Sequence, residues 1–360
     1  MRRALLVGDD DARGLLAAVR SLADHGWRVG VITPSRRSLV VASRHVSAWH
    51  PLGDDVVASV ASAVRSGGYD VVLPGGDSEL LALSERRSEV GCVVPYGSRD
   101  SVRCILDKLS LASEAARFGV AVPATREATP AALASVSGPV VLKSRSHTVV
   151  RSETLVSDDP GALARAAEKM RSAGVMPLLQ EFATGPLIAL TVVMDADHEV
   201  VAAVQQRAAA LWPPNAGITA RAETVPVDPG LLARLTGFLA GIGWSGLAEA
   251  QFLDADDGPT LIDVNGRCYG SLALATAAGV PLPAVWAATA TGGSVPPGPA
   301  VTGVRYQWLY GDLRRGWREG RDLIGPLVHA RSSSHSVWDR TDLRPAASYV
   351  RSLVRAARNR

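Results

Sequence analysis

The fold of this chain is decided by two short stretches, Gly246-Leu-Ala-Glu-Ala-Gln251-Phe-Leu and Leu261-Ile-Asp263-Val-Asn265-Gly-Arg267. Both are apolar runs of strand length, and the segment between them, Asp254-Ala-Asp-Asp-Gly258, has the composition of a turn. Two such runs around a turn of this kind predict a β-hairpin.

The hairpin should carry a polar face. Side chains alternate across a strand, so Asp263 and Asn265 share one face, and Gln251 joins them if odd positions oppose odd positions. One carboxylate and two amide oxygens then converge, with Arg267 just beyond. Hard oxygen ligands of this kind suit Mg²⁺ shared with substrate phosphates. The alternative is a polar face that contacts only solvent.

The bulk composition limits the class of protein. A chain of 360 residues is too long for one core, so two or three domains are expected. The net charge of +3 is too small to indicate a nucleic-acid partner. No stretch approaches the ~18 apolar residues of a membrane span. The short apolar run at the N-terminus stops at Asp9, which argues against a signal peptide. We therefore expect neither a nucleic-acid nor a membrane partner.

The cysteines and the basic C-terminus give further indications of the compartment and of the partners. The three cysteines, Cys92, Cys104 and Cys268, show no CxxC spacing, which excludes a disulfide framework or zinc motif and favours the cytoplasm. Arginines concentrate after residue 313. They predict a solvated helical face, with an acidic partner or a membrane surface as the alternative.

Apolar runs at 4–7, 28–32 and 70–74 alternate with helical patterns and predict a parallel sheet. Asp77 and Glu79 follow the third run, where ligands of open α/β sheets bind, although Asp77 is equally suited to cap a helix. A small α+β unit follows up to residue 180, then antiparallel strands, and the last sixty residues are predicted to be helical and irregular.

Taken in order, these pieces resemble the ATP-grasp superfamily, specifically its carbamoyl-phosphate-synthase-like carboxylate–amine ligases. The resemblance rests on Asp107-Lys108, Gly138-Pro-Val-Val-Leu-Lys143, Leu179-Gln-Glu181-Phe-Ala-Thr-Gly185, Trp212-Pro-Pro-Asn-Ala-Gly217, the hairpin, and Gly270-Ser-Leu-Ala-Leu-Ala-Thr-Ala-Ala-Gly279-Val-Pro-Leu-Pro283. It implies a mixed α/β and α+β architecture, the ATP-grasp fold with an N-terminal parallel-sheet (pre-ATP-grasp) domain. The expected divisions are that domain at 1–106, a small ATP-grasp subdomain at 107–182, a large subdomain with the metal site at 183–300, and a basic C-terminal extension at 301–360.

The resemblance also implies site residues. Lys143 ends an apolar strand, where an ammonium is costly unless it meets an anion. In the family that anion is nucleotide phosphate, and Lys108 resembles the second such lysine, with an exposed helix-start lysine as the alternative. Further matches are the adenine-pocket hinge Gln180, Glu181 and Phe182, the metal ligands Gln251, Asp263 and Asn265, and the phosphoryl-stabilising Arg267.

Several positions depart from the family pattern. Asp263 stands where glutamate is usual, and the loop 144–151 contains no glycine to cover phosphates, although Arg145, His147 or Arg151 would supply charge. No acid at 186–190 is available for the ribose hydroxyls. Glu249 is interpreted as a solvent-side acid, with an accessory metal ligand as the alternative.

The acceptor site is predicted along a loop from Gln205 to Glu223. Arg207 and Arg221 are nominated there as carboxylate clamps, because arginine suits bidentate recognition of a carboxylate; surface arginines are the alternative.

The function implied is ATP-dependent ligation of a small-molecule carboxylate and an amine, amino acids among the candidates. It proceeds through an acyl phosphate, uses ATP with Mg²⁺ (or Mn²⁺ in its place), and the family often forms homodimers. The alternatives are carboxylation or carbamoyl transfer on the same fold, or a non-catalytic nucleotide-binding scaffold.

Overall fold

The computed structural model describes residues 1–146, 154–214, 217–256, 258–320 and 323–358. Its strands are β1 (Arg3–Val7), β2 (Arg28–Thr33), β3 (Val46–Pro51), β4 (Val71–Pro74), β5 (Thr125–Glu127), β6 (Val140–Ser144), β7 (Leu155–Ser157), β8 (Pro177–Glu181), β9 (Leu187–Met194), β10 (Val200–Trp212), β11 (Ile218–Val225), β12 (Gly246–Ala255), β13 (Gly258–Asn265), β14 (Arg305–Gln307) and β15 (Ser334–His335). Its helices are α1 (Arg13–Asp24), α2 (Val56–Gly67), α3 (Asp77–Glu85), α4 (Arg87–Val90), α5 (Arg99–Leu106), α6 (Lys108–Arg117), α7 (Pro130–Ala134), α8 (Pro160–Ser172), α9 (Pro229–Gly241), α10 (Ala273–Ala277), α11 (Leu282–Ala290), α12 (Leu309–Arg318), α13 (Ile324–Ala330) and α14 (Arg344–Arg358).

The N-terminal sheet is parallel, with strand order β3-β2-β1-β4. Its central strands are buried apolar runs, as helices on both faces of a parallel sheet require. The edge strand β3 was not predicted from the sequence, because its residues are exposed or only partly buried and form no apolar run. The carboxyl edge of β4 leads through a glycine pair into α3, whose first residue is Asp77.

The small sheet is antiparallel, with order β5-β8-β6-β7. Leu142 and Leu179 belong to the apolar cluster that α7 and α8 complete, so helices cover one face. The register pairs Lys143 with Leu178 and Val141 with Gln180. Lys143 and Gln180 therefore share the other face, away from that core.

The large sheet has seven strands in the order β13-β12-β9-β10-β11-β14-β15. The predicted loop from Gln205 to Glu223 is wrong: β10 runs on to Trp212, and β11 begins at Ile218. The alanine-rich stretch 208–210 has little strand propensity of its own, but pairing with β11 holds it extended.

The last sixty residues are more regular than predicted. Strands β14 and β15 extend the large sheet, and the chain then returns to the N-terminal domain. There the buried carboxylate of Asp342 accepts hydrogen bonds from Arg20 Nε (3.1 Å), Ser43 Oγ (2.7 Å) and Arg44 N (3.0 Å). No helix among the described residues is long and apolar enough to cross a membrane.

Candidate active site

The hairpin β12–β13 forms as predicted and brings four polar residues to one face. Gln251 lies opposite Asp263, and Glu249 lies opposite Asn265. Directly opposed residues of an antiparallel pair project to the same side, so the two pairs stand next to each other. We call Glu249, Gln251, Asp263 and Asn265 the polar cluster.

Glu249 lies at the centre of the polar cluster. Its side chain is only 2% exposed, so the expectation of a solvent-side acid is wrong. One of its oxygens, Oε2, accepts hydrogen bonds from Asn265 Nδ2 (2.9 Å) and Gln251 Nε2 (3.2 Å). Burial raises the pKa of Glu249 to about 7, against the lowering effect of Arg267 and of the two amides.

The polar cluster is suited to a hard cation. Because Glu249 binds both amide NH₂ groups, the amide oxygens of Gln251 and Asn265 are turned away from it, and the described residues give those oxygens no hydrogen-bond donor. No group of three or more His, Cys, Asp or Glu side chains in the described ranges could hold a metal alone. An ion here would need these amide oxygens, the Asp263 carboxylate, and oxygens from phosphate and water, a set that fits Mg²⁺.

Two lysines from different parts of the chain converge on β13. Lys108 begins α6, is 6% exposed, and donates from Nζ to Asp263 Oδ1 at 2.9 Å, which rules out the exposed alternative. Lys143 donates from Nζ to the carbonyl of Ile262 at 3.3 Å. Burial lowers the pKa of Lys143 to about 7, and the nearby Lys108 charge adds to the effect. An anion that entered between them would restore the charged form of Lys143.

Arg267 joins the N-terminal domain to this site. Its Nε donates to Asp77 Oδ1 at 2.9 Å, and both side chains are largely buried. Burial lowers the pKa of Arg267, but the charges of Asp77, Glu249 and Asp263 outweigh it and raise the pKa overall. The side chain of Asp77 therefore positions an arginine, while the N-cap of α3 is Gly76.

The predicted adenine hinge lies where β8 leaves the small sheet. Gln180 is buried and donates from Nε2 to Thr125 Oγ1 at 2.9 Å. Glu181 is exposed, projects to the other side of β8, and accepts from Ala124 N at 3.3 Å. Phe182 is half-buried just beyond the strand. Their role towards adenine stays a prediction.

The structure does not bring Arg207 and Arg221 to the polar cluster. A cross-strand row runs from Asp263 through Gln251 and Ala189 to Gln206, so Arg207 projects from the opposite face of the sheet. Arg207 pairs there with Asp254 at 3.1 Å.

Arg221 is on that opposite face as well, because Gln206 pairs with Thr224 and Arg207 with Glu223. It pairs with the buried Asp312 at 2.5 Å. Sequence reasoning missed the buried Gln206, whose Nε2 donates to Ser271 Oγ at 2.9 Å on the face of the cluster. Placing β10 as a strand would have identified it by alternation alone.

The start of the glycine-free loop is fixed beside Lys108. Arg145 donates from Nε to Asp107 Oδ2 at 2.6 Å, and its carbonyl accepts from Lys108 N at 3.1 Å. Asp107 also caps α6 through Leu109 N and Ser110 N. Arg145 is thus bound to a helix cap, while His147 and Arg151 lie outside the described residues.

Comparison with known proteins identifies this architecture. Residues 175–311 match the family described as ATP-grasp in the biosynthetic pathway with Ter operon. Comparison with curated protein sequences gives no match. Solved structures of the same fold are numerous. The chain therefore has the ATP-grasp fold, and its residues 175–311 are similar to this ATP-grasp family, which confirms the predicted resemblance and fold.

Three similar structures show how the fold is shared. The biotin carboxylase domain of Hydrogenobacter thermophilus 2-oxoglutarate carboxylase, solved with MgADP, ADP and bicarbonate, has a TM-score of 0.67 and 14% identity over 84% of this chain and 73% of that one. An L-amino acid ligase from Bacillus licheniformis has a TM-score of 0.64 and 15% identity over 83% and 75%. The ADP complex of PurK, an N5-carboxyaminoimidazole ribonucleotide synthetase, has a TM-score of 0.67 and 13% identity over 84% and 80%.

Proposed function

We propose that this protein is an ATP-dependent carboxylate–amine ligase. The observation that carries the proposal is the convergence of Lys108, Lys143 and Arg267 on the polar cluster, from three separate parts of the chain. Three cations around two carboxylates and two amides are groups of the kind that phosphoryl transfer from ATP uses. The ligase and the ADP complexes among similar structures support the same reaction type.

The residues of this chain have separate tasks in the proposed reaction. Lys108 and Lys143 bind the phosphates of ATP, and Gln180, Glu181 and Phe182 border the adenine. Gln251, Asp263 and Asn265 hold Mg²⁺, or Mn²⁺ in its place, which neutralises phosphate charge when bound. Glu249 fixes the amides of Gln251 and Asn265 by accepting their NH₂ hydrogens. Arg267, held by Asp77, stabilises the charge that develops as the phosphoryl group moves.

The chemistry then needs no nucleophilic side chain. The substrate carboxylate attacks the γ-phosphorus, ADP leaves, and an acyl phosphate forms. The amine attacks the acyl carbon, phosphate leaves, and a C–N bond results, so the protein mainly positions the reactants and neutralises charge. We propose small-molecule substrates, amino acids among them, and a cytoplasmic reaction. The homodimer stays a prediction. Arg207 and Arg221 have no part in the proposal, because they lie on the other face of the sheet.

The test is ADP release and hydroxamate formation with Mg-ATP, hydroxylamine and a panel of carboxylic and amino acids. Hydroxylamine traps an acyl phosphate without the natural amine. The double variant Asp263→Ala, Asn265→Ala must abolish both signals; unchanged ATP turnover in that variant would refute the proposal.

Carboxylation is the second candidate, because one similar structure was solved with bicarbonate. The same panel therefore includes bicarbonate, which would stimulate ADP release without giving a hydroxamate of any organic acid. Absence of Mg-dependent ATP binding would instead favour the non-catalytic scaffold.

A further inference from the structure

The charge of this protein is segregated along the chain. The last sixty residues contain twelve arginines, no lysine and five acidic residues, whereas the whole chain has a net charge of only +3. The rest of the chain is therefore net acidic. A strongly basic segment on an otherwise acidic protein indicates a surface for an anionic partner.

The terminal helix α14 presents apolar side chains to solvent. Leu343 (just before the helix), Val350 and Val354 are 50%, 58% and 45% exposed, and Ala347 is exposed between them. Their spacing places all four on one face of a helix, and we call them the apolar stripe. Arg344, Arg351 and Arg355 follow the same spacing along one flank. A solvent-facing helix normally shows the reverse pattern, with apolar residues turned inward.

The opposite side of α14 is anchored, so the fold itself keeps the apolar stripe outside. Ser348 Oγ donates to the carbonyl of Arg37 at 3.1 Å, and Tyr349 OH accepts from Trp308 Nε1 at 3.1 Å. The buried Asp342 fixes the residues just before the helix. The apolar stripe is thus part of a preformed surface.

A basic groove adjoins the apolar stripe. It has a volume of about 420 Å³ and lies between residues 41–46 and α14, with Arg44, Arg344 and Arg351 in its lining. Ala347 belongs to both the groove and the apolar stripe. Within the described ranges, the side chains of Arg344 and Arg351 form no ion pair and no hydrogen bond. Their charges are therefore available to an anion from outside.

We propose that α14 and this groove dock the protein on an anionic phospholipid surface. The apolar stripe enters the interfacial region of the bilayer, and Arg44, Arg344 and Arg351 pair with headgroup phosphates. Binding of this kind is peripheral and needs no spanning helix. It takes up the alternative of a membrane surface that the basic C-terminal sequence left open beside the solvated helical face.

Lipid fits this surface better than an acidic protein does. Protein–protein interfaces are typically anchored by Trp or Tyr side chains seated in pockets, whereas the apolar stripe consists of aliphatic side chains in an open row. An aliphatic row flanked by arginines is the pattern of helices that lie in a membrane interface.

The experiment is flotation of the full chain with vesicles of phosphatidylcholine alone, and of phosphatidylcholine containing about a third phosphatidylglycerol. We expect binding only to the anionic vesicles, weakened by salt.

The double variant Arg344→Gln, Arg351→Gln should bind about 25-fold more weakly, because each arginine near such a surface strengthens binding about fivefold. Val350→Ser, Val354→Ser should weaken binding about tenfold and leave its salt dependence unchanged. Exposed arginines outside this surface supply the matched control, Arg99→Gln, Arg165→Gln, which should bind like the wild type.

Four outcomes overturn the proposal. Equal binding to both vesicles would show apolar adhesion without headgroup recognition. Unweakened binding by the Arg344→Gln, Arg351→Gln variant would place the contact elsewhere. Loss of binding in millimolar inorganic phosphate at constant ionic strength would identify a free-anion site. A shift from dimer to monomer in Val350→Ser, Val354→Ser, without any lipid binding by the wild type, would assign the apolar stripe to a second copy of the chain. Thermal unfolding of each variant confirms that the fold is intact.

Discussion

Replacing Glu249 with glutamine changes one charge at the centre of the polar cluster and almost no volume. Glu249 accepts two hydrogen bonds at a single oxygen, from Asn265 at 2.9 Å and Gln251 at 3.2 Å. Hydrogen bonds to a charged group contribute about 1.5–3 kcal/mol each. The neutral carbonyl oxygen of glutamine can take the place of Oε2 and accept both bonds, but it accepts them more weakly, so the two amides would be held less firmly.

The expected result is a loss of function with little loss of stability. Residues that orient metal ligands typically change metal affinity or activity about 10–100-fold when altered, so the Mg²⁺ concentration for half-maximal ATP turnover should rise by that amount. Global stability should change little, because removing a buried charge offsets the weaker hydrogen bonds. The assay is ADP release as a function of Mg²⁺ concentration, with urea unfolding in parallel.

The matched control is Glu168→Gln, an exposed glutamate on α8 whose carboxylate pairs only with a neighbouring surface arginine in the described structure. An unchanged Mg²⁺ dependence in Glu249→Gln would show that the amides need no such support, and would refute the role given to Glu249. A large fall in unfolding free energy would instead make Glu249 a structural residue.

Three further predictions concern Lys143, Arg267 and Arg221. Because the pKa of Lys143 is about 7 in the free protein and phosphate would raise it, ATP binding should take up a proton. The ATP affinity should then fall towards tenfold per pH unit above about pH 7.5, and calorimetry in buffers of different ionisation enthalpy would detect the uptake. Arg267→Gln should lower kcat about a thousandfold and change the affinity for ATP far less, which a comparison of kcat with KM would reveal. Equal losses of turnover and of ATP affinity would contradict a role confined to the transition state. Arg221→Gln should retain turnover but lower the unfolding free energy by about 2 kcal/mol, because Asp312 is 1% exposed and would keep only its hydrogen bond from Gln307. Urea denaturation measures this loss. A loss of turnover without a loss of stability would instead support the predicted role of Arg221 in the acceptor site.

The sequence predicts much of this fold because its strong signals are local. Alternation on β12 and β13 places Gln251, Asp263 and Asn265 on one face, and the register confirms it. Helix α9 has the capping residue Asp228 before it and Pro229 as its first residue, and both are local sequence signals of a helix start. Such features depend on residues within a few positions of each other.

The errors arise where distant contacts override local preference. The sequence around Glu249 is that of an ordinary surface acid, but in the fold this residue is buried beside β13 and close to Arg267. No neighbouring residue in the sequence indicates this burial. Strand β11 is irregular in sequence but pairs with both β10 and β14. Arg207 and Gln206 are adjacent in sequence, and only the position of β10 in the sheet decides which of them reaches the site.

The contact of the C-terminal residues with the N-terminal domain bears on how the parts of the protein can move. Through Asp342, and through β14 and β15, the C-terminal residues connect the N-terminal domain to the large sheet, and we expect these contacts to hold the two parts together. The small sheet lies outside these contacts and is joined to the rest where β5 begins and where β8 passes into β9. If the protein binds a nucleotide as proposed, we expect the small sheet to move about these two connections, and Lys143 on β6 to move with it.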